Sequence, residues 1–200
     1  NFIKYNRKDN KDTSYMFNNC SSLEEINFTK FNTSNVIDMN SLFFRCKSLK
    51  ELNLSNFDTS NVTNMCLMFF ECYNLKELNL SNFNTSNVTI MGGMFCECKS
   101  LKELNLSNFD TSNVRNFKMM FNGCSSLIKL NILNFDIYKV INMEKMFAYC
   151  LELKSLDLSN FVANNEINME NMFFLCKNLS ELLCYDNLIK FQFENKKKLI

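Results

Sequence analysis

The chain has 200 residues, 46% of them hydrophobic and 22% charged, which excludes a disordered polymer because enough apolar surface is present to bury a core. Lys and Arg number 22 against 21 Asp and Glu, and the net charge of +1 excludes the basic surface typical of nucleic-acid-binding proteins. Histidine is absent, which removes Ser–His and Cys–His nucleophiles and argues against an enzyme.

A period of 26 residues organises the chain. Cysteine recurs at this spacing from Cys20 to Cys176, and rows of leucine, phenylalanine and Met-Phe pairs keep the same register. Three units have nearly the same sequence, LKELNLSNFDTSNV or LKELNLSNFNTSNV, starting at Leu49, Leu75 and Leu101. Tandem units of this length predict an α/β solenoid of seven to eight coils, because no single unit can bury its own apolar face.

The chain opens inside a repeat unit. Aligning its first residues with the next unit places Asn1 on Asn27, in the middle of a predicted strand. No initiator methionine, charged leader or apolar leader segment is present at this point. We therefore expect a fragment of a longer protein. Residues 1–184 are predicted to form the solenoid, and residues 185–200 a divergent terminal repeat, a cap or a linker.

The first part of each unit predicts a short strand. In the unit that starts at Leu49, Leu52 and Leu54 alternate with polar Glu51 and Asn53, which is the period of a strand with one buried face. Strands that repeat along a solenoid stack in parallel, about 4.8 Å apart. Because helices need more room than strands, the parallel sheet is predicted to form the concave face.

The second part of each unit predicts a capped helix. The cluster 58–61 (Asp-Thr-Ser-Asn) favours a turn and a helix N-cap. Apolar residues then recur at intervals of three and four, as on one face of a helix of about three turns. Gly92 and Gly93 fall within one such helix and are expected to loosen it. In the unit just described the apolar residues are Val62, Met65, Met68, Phe69 and Cys72.

The ten cysteines raise the question of metal or disulfide chemistry. One cysteine per coil does not provide the paired ligands of a zinc site, so no metal is predicted. We interpret the row from Cys20 to Cys176 as small buried side chains at the corner between helix and strand, most of them reduced. Cys66 lies outside this row, on the outer face of a predicted helix, and is expected to be the most reactive thiol.

The outward residues of the predicted strands form polar rows on the concave face. Stacked asparagines are expected to hydrogen-bond along their row. Stacked glutamates repel each other, and we expect Lys50, Lys76 and Lys102 to compensate them, with a bound cation as the alternative. The candidate binding residues on this face are Glu51, Asn53, Glu77, Asn79, Glu103, Asn105, Lys129, Asn131, Tyr138 and Asp157.

The rows change toward the end of the chain. Variation is concentrated around Ile128, Lys129, Leu133, Ile137 and Tyr138, so a specific binding patch is expected there. The register fades after Cys184, and the alternation of the residues that follow predicts one more strand before a run of lysines. Its apolar residues are Ile189, Phe191 and Phe193.

The pattern LxxLxLxxF resembles a leucine-rich repeat. The segment FDTSNVTNM follows this pattern, and a Met-Phe pair, a cysteine and Ser-Leu or Asn-Leu come after it. This combination resembles the BspA-like branch, the 26-residue repeat of bacterial surface proteins. This resemblance implies a right-handed solenoid, export to a cell surface, and adhesion or binding to host or matrix proteins. The family motif does not fix binding residues, and a phenylalanine row from Phe31 to Phe161 replaces the usual asparagine after the strand.

The sequence therefore predicts a non-catalytic repeat protein without a cofactor. Adhesion or protein binding at the cell surface, or after secretion, is the first interpretation. An intracellular interaction scaffold is the second, supported by the reduced cysteines, which are common in the cytoplasm. A structural spacer within a larger surface protein is the third. No apolar run approaches the roughly 20 residues that cross a bilayer, so no transmembrane segment is expected.

Overall fold

The computed structural model describes residues 10–196. β1 pairs with β2 and β3 pairs with β4, both in parallel, and each residue faces the residue 26 positions later. The period of the sequence is therefore the step from one stacked coil to the next. The elements are β1 (Glu103–Asn105), β2 (Lys129–Asn131), β3 (Ser155–Asp157), β4 (Glu181–Leu183) and α1 (Asn187–Asn195).

The predicted strands are confirmed in these four units but are not continuous in the earlier ones. Residues 51–54 keep the alternation of exposed and buried side chains, yet they form no strand. The backbone bond from Lys76 N–H to Lys50 O is 3.4 Å long, whereas the equivalent bond from Ile128 N–H to Lys102 O is 2.8 Å. Strand pairing is therefore tighter in the second half of the chain.

The prediction of a helix in each unit is wrong. Met39 to Cys46 instead forms successive β-turns, in which Leu42 N–H donates to Met39 O at 3.3 Å and Cys46 N–H donates to Phe43 O at 3.1 Å. Ser41 and Arg45, the third residues of these two turns, have φ values of 53° and 59°. Such positive values belong to type II turns and would interrupt a right-handed helix.

Backbone hydrogen bonds between coils explain why turns replace the helix. Met39, Ser41, Phe43 and Arg45 donate their N–H groups to carbonyls of the following coil at 2.7–3.0 Å. A helix would use these donors internally. The turn conformation satisfies the backbone and also joins neighbouring coils, and we call this segment, with its equivalents in other units, the turn half of the coil.

The turn half imitates a helix in its sequence. Two consecutive four-residue turns bury their first and last residues, here Met39, Leu42, Phe43 and Cys46, all with 0% exposure. The resulting spacing of three, one and three residues is also that of a helix face. Gly93 does not loosen a helix, because it takes a turn position at φ 62°, where an added Cβ would lie 2.5 Å from Leu67 Cδ2.

A second line of parallel contacts runs beside the turn half. Single bridges join residues 26 positions apart over seven consecutive units. Most of these residues are Asp or Asn, and their side chains begin the turn half: Asn64 Oδ1, for example, accepts a bond from Cys66 N–H at 3.0 Å. The bridged residues are Asp12, Asp38, Asn64, Ile90, Asn116, Asn142 and Asn168.

A stack of phenylalanine rings passes through the core. Successive rings lie 5.5–5.7 Å apart between centroids and are tilted by 10° or less. Each unit contributes the phenylalanine of its Met-Phe or Leu-Phe pair, and burial of such rings dominates core energetics. The stacked residues are Phe17, Phe43, Phe69, Phe95, Phe121, Phe147 and Phe173.

Polar side chains, some of them buried, also connect the coils. Thr59 Oγ1 donates to Asn84 O at 2.9 Å and accepts from Asn84 N–H at 2.8 Å. Asn82 Nδ2 donates to two carbonyls of the preceding coil at 3.0 and 2.9 Å. The TSN and SNF segments of the repeat therefore satisfy backbone groups between coils, which removes the cost of burying them.

The cysteine row is buried as predicted from Cys46 onward, and its members also act as hydrogen-bond donors. Cys72 Sγ lies 3.3 Å from Phe43 O, and the same contact recurs in each coil from Cys46 to Cys176. Burial raises the pKa of Cys46 to about 12 and that of Cys72 well above its ordinary value. Cys66 is only partly exposed, and burial raises its pKa too, so the expectation of an exposed, reactive thiol is wrong.

The strand predicted near the C-terminus is wrong, because this segment forms α1. Asp186 caps the helix by accepting from Leu188 N–H and Ile189 N–H at 2.9 and 3.0 Å. Phe193 packs edge-on against Phe173, with ring centroids 5.8 Å apart. The helix therefore covers the last described ring of the phenylalanine stack.

Candidate functional site

Grooves lined by both polar and apolar side chains run along the side of the coils that carries β1 to β4, which we call the strand face. A groove of about 970 Å³ brings together Glu77, Asn79, Glu103, Asn105, Lys129 and Asn131. Glu51 and Asn53 line a neighbouring groove of about 400 Å³, which shares Glu77 and Asn79 with the first. Asp157 lines a third, of about 340 Å³, which shares Lys129.

Tyr138 stands apart from the other candidate residues. Its side chain is 81% exposed and lines none of these grooves. Its backbone N–H donates to Asp136 Oδ1 at 2.8 Å, within a turn equivalent to Ser60 and its neighbours in other coils. Ile137, expected in the same patch, is buried at 2% exposure because it takes the inward position of the buried threonines.

The asparagines of the strand face do not bond to one another as predicted. Asn53 Oδ1 accepts from Ser55 N–H at 3.0 Å, and the same local turn recurs at Asn79, Asn105 and Asn131. A short polar side chain commonly bonds to the backbone two residues later. In the part of the chain that the structure describes, no hydrogen bond joins successive members of this row, and each asparagine orders its own coil.

The predicted compensation of the glutamate row by Lys50, Lys76 and Lys102 is wrong. Lys50 pairs with Glu24, at 2.6 Å, and not with the row of Glu51. Glu103 is instead paired by Lys129, whose Nζ lies 2.8 Å from Glu103 Oε1. The bond from Lys50 lowers the pKa of Glu24, and the pKa of Lys50 rises in return.

Glu51 and Glu77 of the strand face remain open to a partner. Among residues 10–196, no ion pair involves Lys76, Lys102, Glu51 or Glu77. Within the same residues, no group of three or more Cys, Asp or Glu side chains could hold a metal ion. A partner could therefore meet these carboxylates directly, without displacing a lysine.

Exposed apolar residues mark the end of the strand face. Ile128 and Leu133, singled out from the sequence, are 43% and 47% exposed. Leu183 and Tyr185, at 48% and 70%, were missed because the repeat register fades beside them. The signal was present: Leu183 occupies the row of Asn131 and Asp157, and Tyr185 occupies the row of Leu133 and Ser159.

The stacked parallel units and the leucine positions define a repeat protein of the leucine-rich kind. The family model described as "Mycoplasma protein of unknown function, DUF285" matches residues 11–126 and 72–185, and the chain belongs to this family. The resemblance to the BspA-like leucine-rich repeat is thereby confirmed. No curated protein sequence matches the chain. Within residues 10–196, no helix has the length and apolar character needed to cross a bilayer.

Solved structures of leucine-rich repeat proteins are similar to this chain. A leucine-rich repeat protein from Bacteroides ovatus is 21% identical, with a TM-score of 0.46, over 86% of this chain and 52% of that one. The T. pallidum leucine-rich repeat protein is 18% identical, with a TM-score of 0.42, over 92% and 74%. A leucine-rich cell surface protein from Faecalibacterium prausnitzii is 14% identical, with a TM-score of 0.30, over 90% and 70%. The chain thus spans about half the length of the first of these proteins.

Proposed function

We propose that this chain is a non-catalytic, surface-exposed repeat protein that binds another protein through its strand face. In this proposal residues 1–184, of which 1–9 lie outside the described residues, belong to a right-handed solenoid of seven to eight coils with the strand face concave, and residues 185–200, described as far as 196, close it. The observation that carries the proposal is the line of grooves that gathers every predicted binding residue except Tyr138.

The chemistry of the strand face suits a polypeptide partner. Glu51 and Glu77 present carboxylates without a cation, and leucines at the bottom of the grooves supply apolar surface. A long, open surface that mixes polar and apolar side chains resembles a protein interface more than the enclosed apolar pocket of a small-molecule site. A host or matrix protein is the partner that the family resemblance favours.

An intracellular interaction scaffold is the first alternative. Reduced cysteines supported it at the level of sequence, but their burial weakens that support. Cys72, Cys98 and Cys150 are 0% exposed with strongly raised pKa values, so the reactive thiolate is scarce and inaccessible. Thiols of this kind can persist in an oxidising environment. The near-identical units from Leu49 to Val114 support the second alternative, a spacer within a larger surface protein.

Location is tested by protease treatment of intact cells, followed by mass spectrometry of the released peptides. Peptides spanning exposed Tyr138 should appear in the supernatant while a cytoplasmic marker stays intact. Release only after lysis would contradict the surface location and would favour the scaffold.

Binding is tested with a panel of purified extracellular matrix proteins on a biosensor surface. Glu77→Lys, on the strand face, should weaken binding at least tenfold. Glu166→Lys, an equal charge change at an exposed turn outside the grooves, is the matched control and should leave binding unchanged. Equal effects of the two variants, or no binding at all, would contradict the proposal.

A further inference from the structure

The last part of the strand face, between β2 and β4, combines features that the earlier coils lack. Ile128 and Leu183 both line the groove of about 340 Å³. Ile128 lies on the coil that carries β2, and Leu183 lies on β4, two coils later. Leu133 and Tyr185 extend the exposed apolar surface along the next row. Earlier coils place Lys, Asn and Ser in these rows. Exposed apolar residues gathered around one groove commonly mark an interaction site.

Two acidic side chains lie between these apolar groups. Asp157 faces Leu183 across the β3–β4 pair, and Glu181 lines the same groove. Neither carboxylate has a cation within ion-pair distance among residues 10–196. Lys129 also lines the groove, but its ammonium is held by Glu103 at 2.8 Å. The groove therefore offers two uncompensated negative charges.

The charges and the apolar groups together define the ligand. An acidic segment or a nucleic acid would meet repulsion from Asp157 and Glu181, and neutral apolar peptides would leave both carboxylates without a partner. A basic side chain can reach a carboxylate while its neighbours cover the apolar sides of the groove. We propose that the β2–β4 end of the strand face binds a polypeptide segment in which a lysine or arginine is flanked by apolar residues. This inference rests on the proposed protein-binding function and specifies its ligand.

The repeat itself supplies mild test variants. Asp157→Asn and Leu183→Asn each install the residue that this row carries in earlier coils, and Tyr185→Ser does the same in the neighbouring row. Asp157 Oδ1 accepts a local bond from Ser159 N–H at 2.9 Å, and asparagine keeps that bond in the earlier coils. These variants are expected to fold, which circular dichroism and a melting curve verify.

The probe is a synthetic peptide with arginine between two leucines and a fluorescent label, measured by anisotropy. Matched peptides replace the arginine with glutamate or the leucines with serine. The arginine–leucine peptide should bind the intact chain, and Asp157→Asn with Glu181→Gln should weaken it at least tenfold. Leu183→Asn should weaken it about fivefold. Higher salt should weaken it as well, because partly exposed charges are screened. Glu166→Gln, which removes one negative charge at an exposed turn outside the grooves, is the control and should not change it.

Several outcomes would overturn the inference. Equal or tighter binding of the glutamate peptide, or insensitivity to the Asp157 and Glu181 changes, would show that the charges do not select the ligand. If the arginine–leucine peptide does not bind but Glu77→Lys still abolishes binding to a matrix protein, this inference fails while the proposed function stands. If neither ligand binds, both fail.

Discussion

The two halves of each coil are built differently. The turn half sends four backbone N–H groups to the next coil and buries the phenylalanine stack, from Phe17 to Phe173, together with the cysteine row. In the strand half, only three residues per coil pair with a neighbouring coil, and this pairing begins only at β1. Cohesion between coils is therefore concentrated in the turn half. The strand half can change its outward residues with little effect on stacking, which suits it to carry a binding surface.

The largest expected effect concerns alkaline pH and tests whether the turn half controls stability. Burial raises the pKa of Cys46 to about 12 from about 9 when it is unfolded, and it also raises the pKa values of the thiols of the row from Cys72 to Cys176. Because the folded state favours the protonated thiol, this contribution is complete below pH 9 and is lost as the pH rises from 9 toward 12. The melting temperature should therefore fall steeply over that range. Cys46→Ser should make the fall shallower, and an unchanged slope in this variant would contradict the role of the thiols.

The next effect compares a buried ring of the turn half with an outward side chain of the strand half. Phe95→Ala removes one ring from the middle of the stack and should lower the free energy of unfolding by about 3–5 kcal/mol. Asn105→Ala, an exposed position of β1, should change it by less than about 1 kcal/mol. Urea unfolding of both variants measures the difference. Similar losses would show that cohesion is shared equally between the halves.

The smallest effect separates turns from a helix in the same segment. Gly123 has φ 73°, and a Cβ there would strike Glu97 Oε1, so Gly123→Ala should destabilise by about 1 kcal/mol. Gly92 has no positive φ, and its added Cβ would lie 3.5 Å from Lys118 O, an ordinary contact. Gly92→Ala should therefore be neutral or stabilise by up to about 1 kcal/mol. Stabilisation by both variants, in thermal melts, would favour the helix and contradict the turns.

The sequence predicts the larger organisation well because the period of 26 residues is the length of one coil, so equivalent residues of successive units stack on one another. Parallel pairing in β1 to β4, the buried phenylalanine rows and the polar strand face follow from that register. The local backbone conformation was harder to predict from the sequence. Met39, Leu42, Phe43 and Cys46 satisfy a helix and a pair of type II turns equally well, because both bury the same positions. Only backbone bonding to the next coil separates the two, and a single unit does not display it.

The candidate site was predicted in part for a similar reason. Outward positions of a strand follow directly from alternation, so Glu51 to Asp157 were placed on one face correctly. Tyr138 and Ile137 were not, because they follow the strand in a turn whose inward and outward positions alternation does not define. Asparagine bonding was also misjudged, because the sequence cannot distinguish a side chain that bonds along a row from one that bonds to its own backbone.

The hydrogen bonds of the turn half have one further consequence. Between the coil that holds Met39 to Arg45 and the following coil, four N–H groups of the turn half point forward, while two backbone bonds, from Thr63 N–H to Ile37 O and from Lys76 N–H to Lys50 O, point back. The aligned bond dipoles add from coil to coil, much as peptide dipoles add along a helix. The stack is thus electrically polar along its length, negative toward its early coils and positive toward its late ones. Charged molecules that approach the two ends would meet opposite fields, even though the chain carries a net charge of only +1.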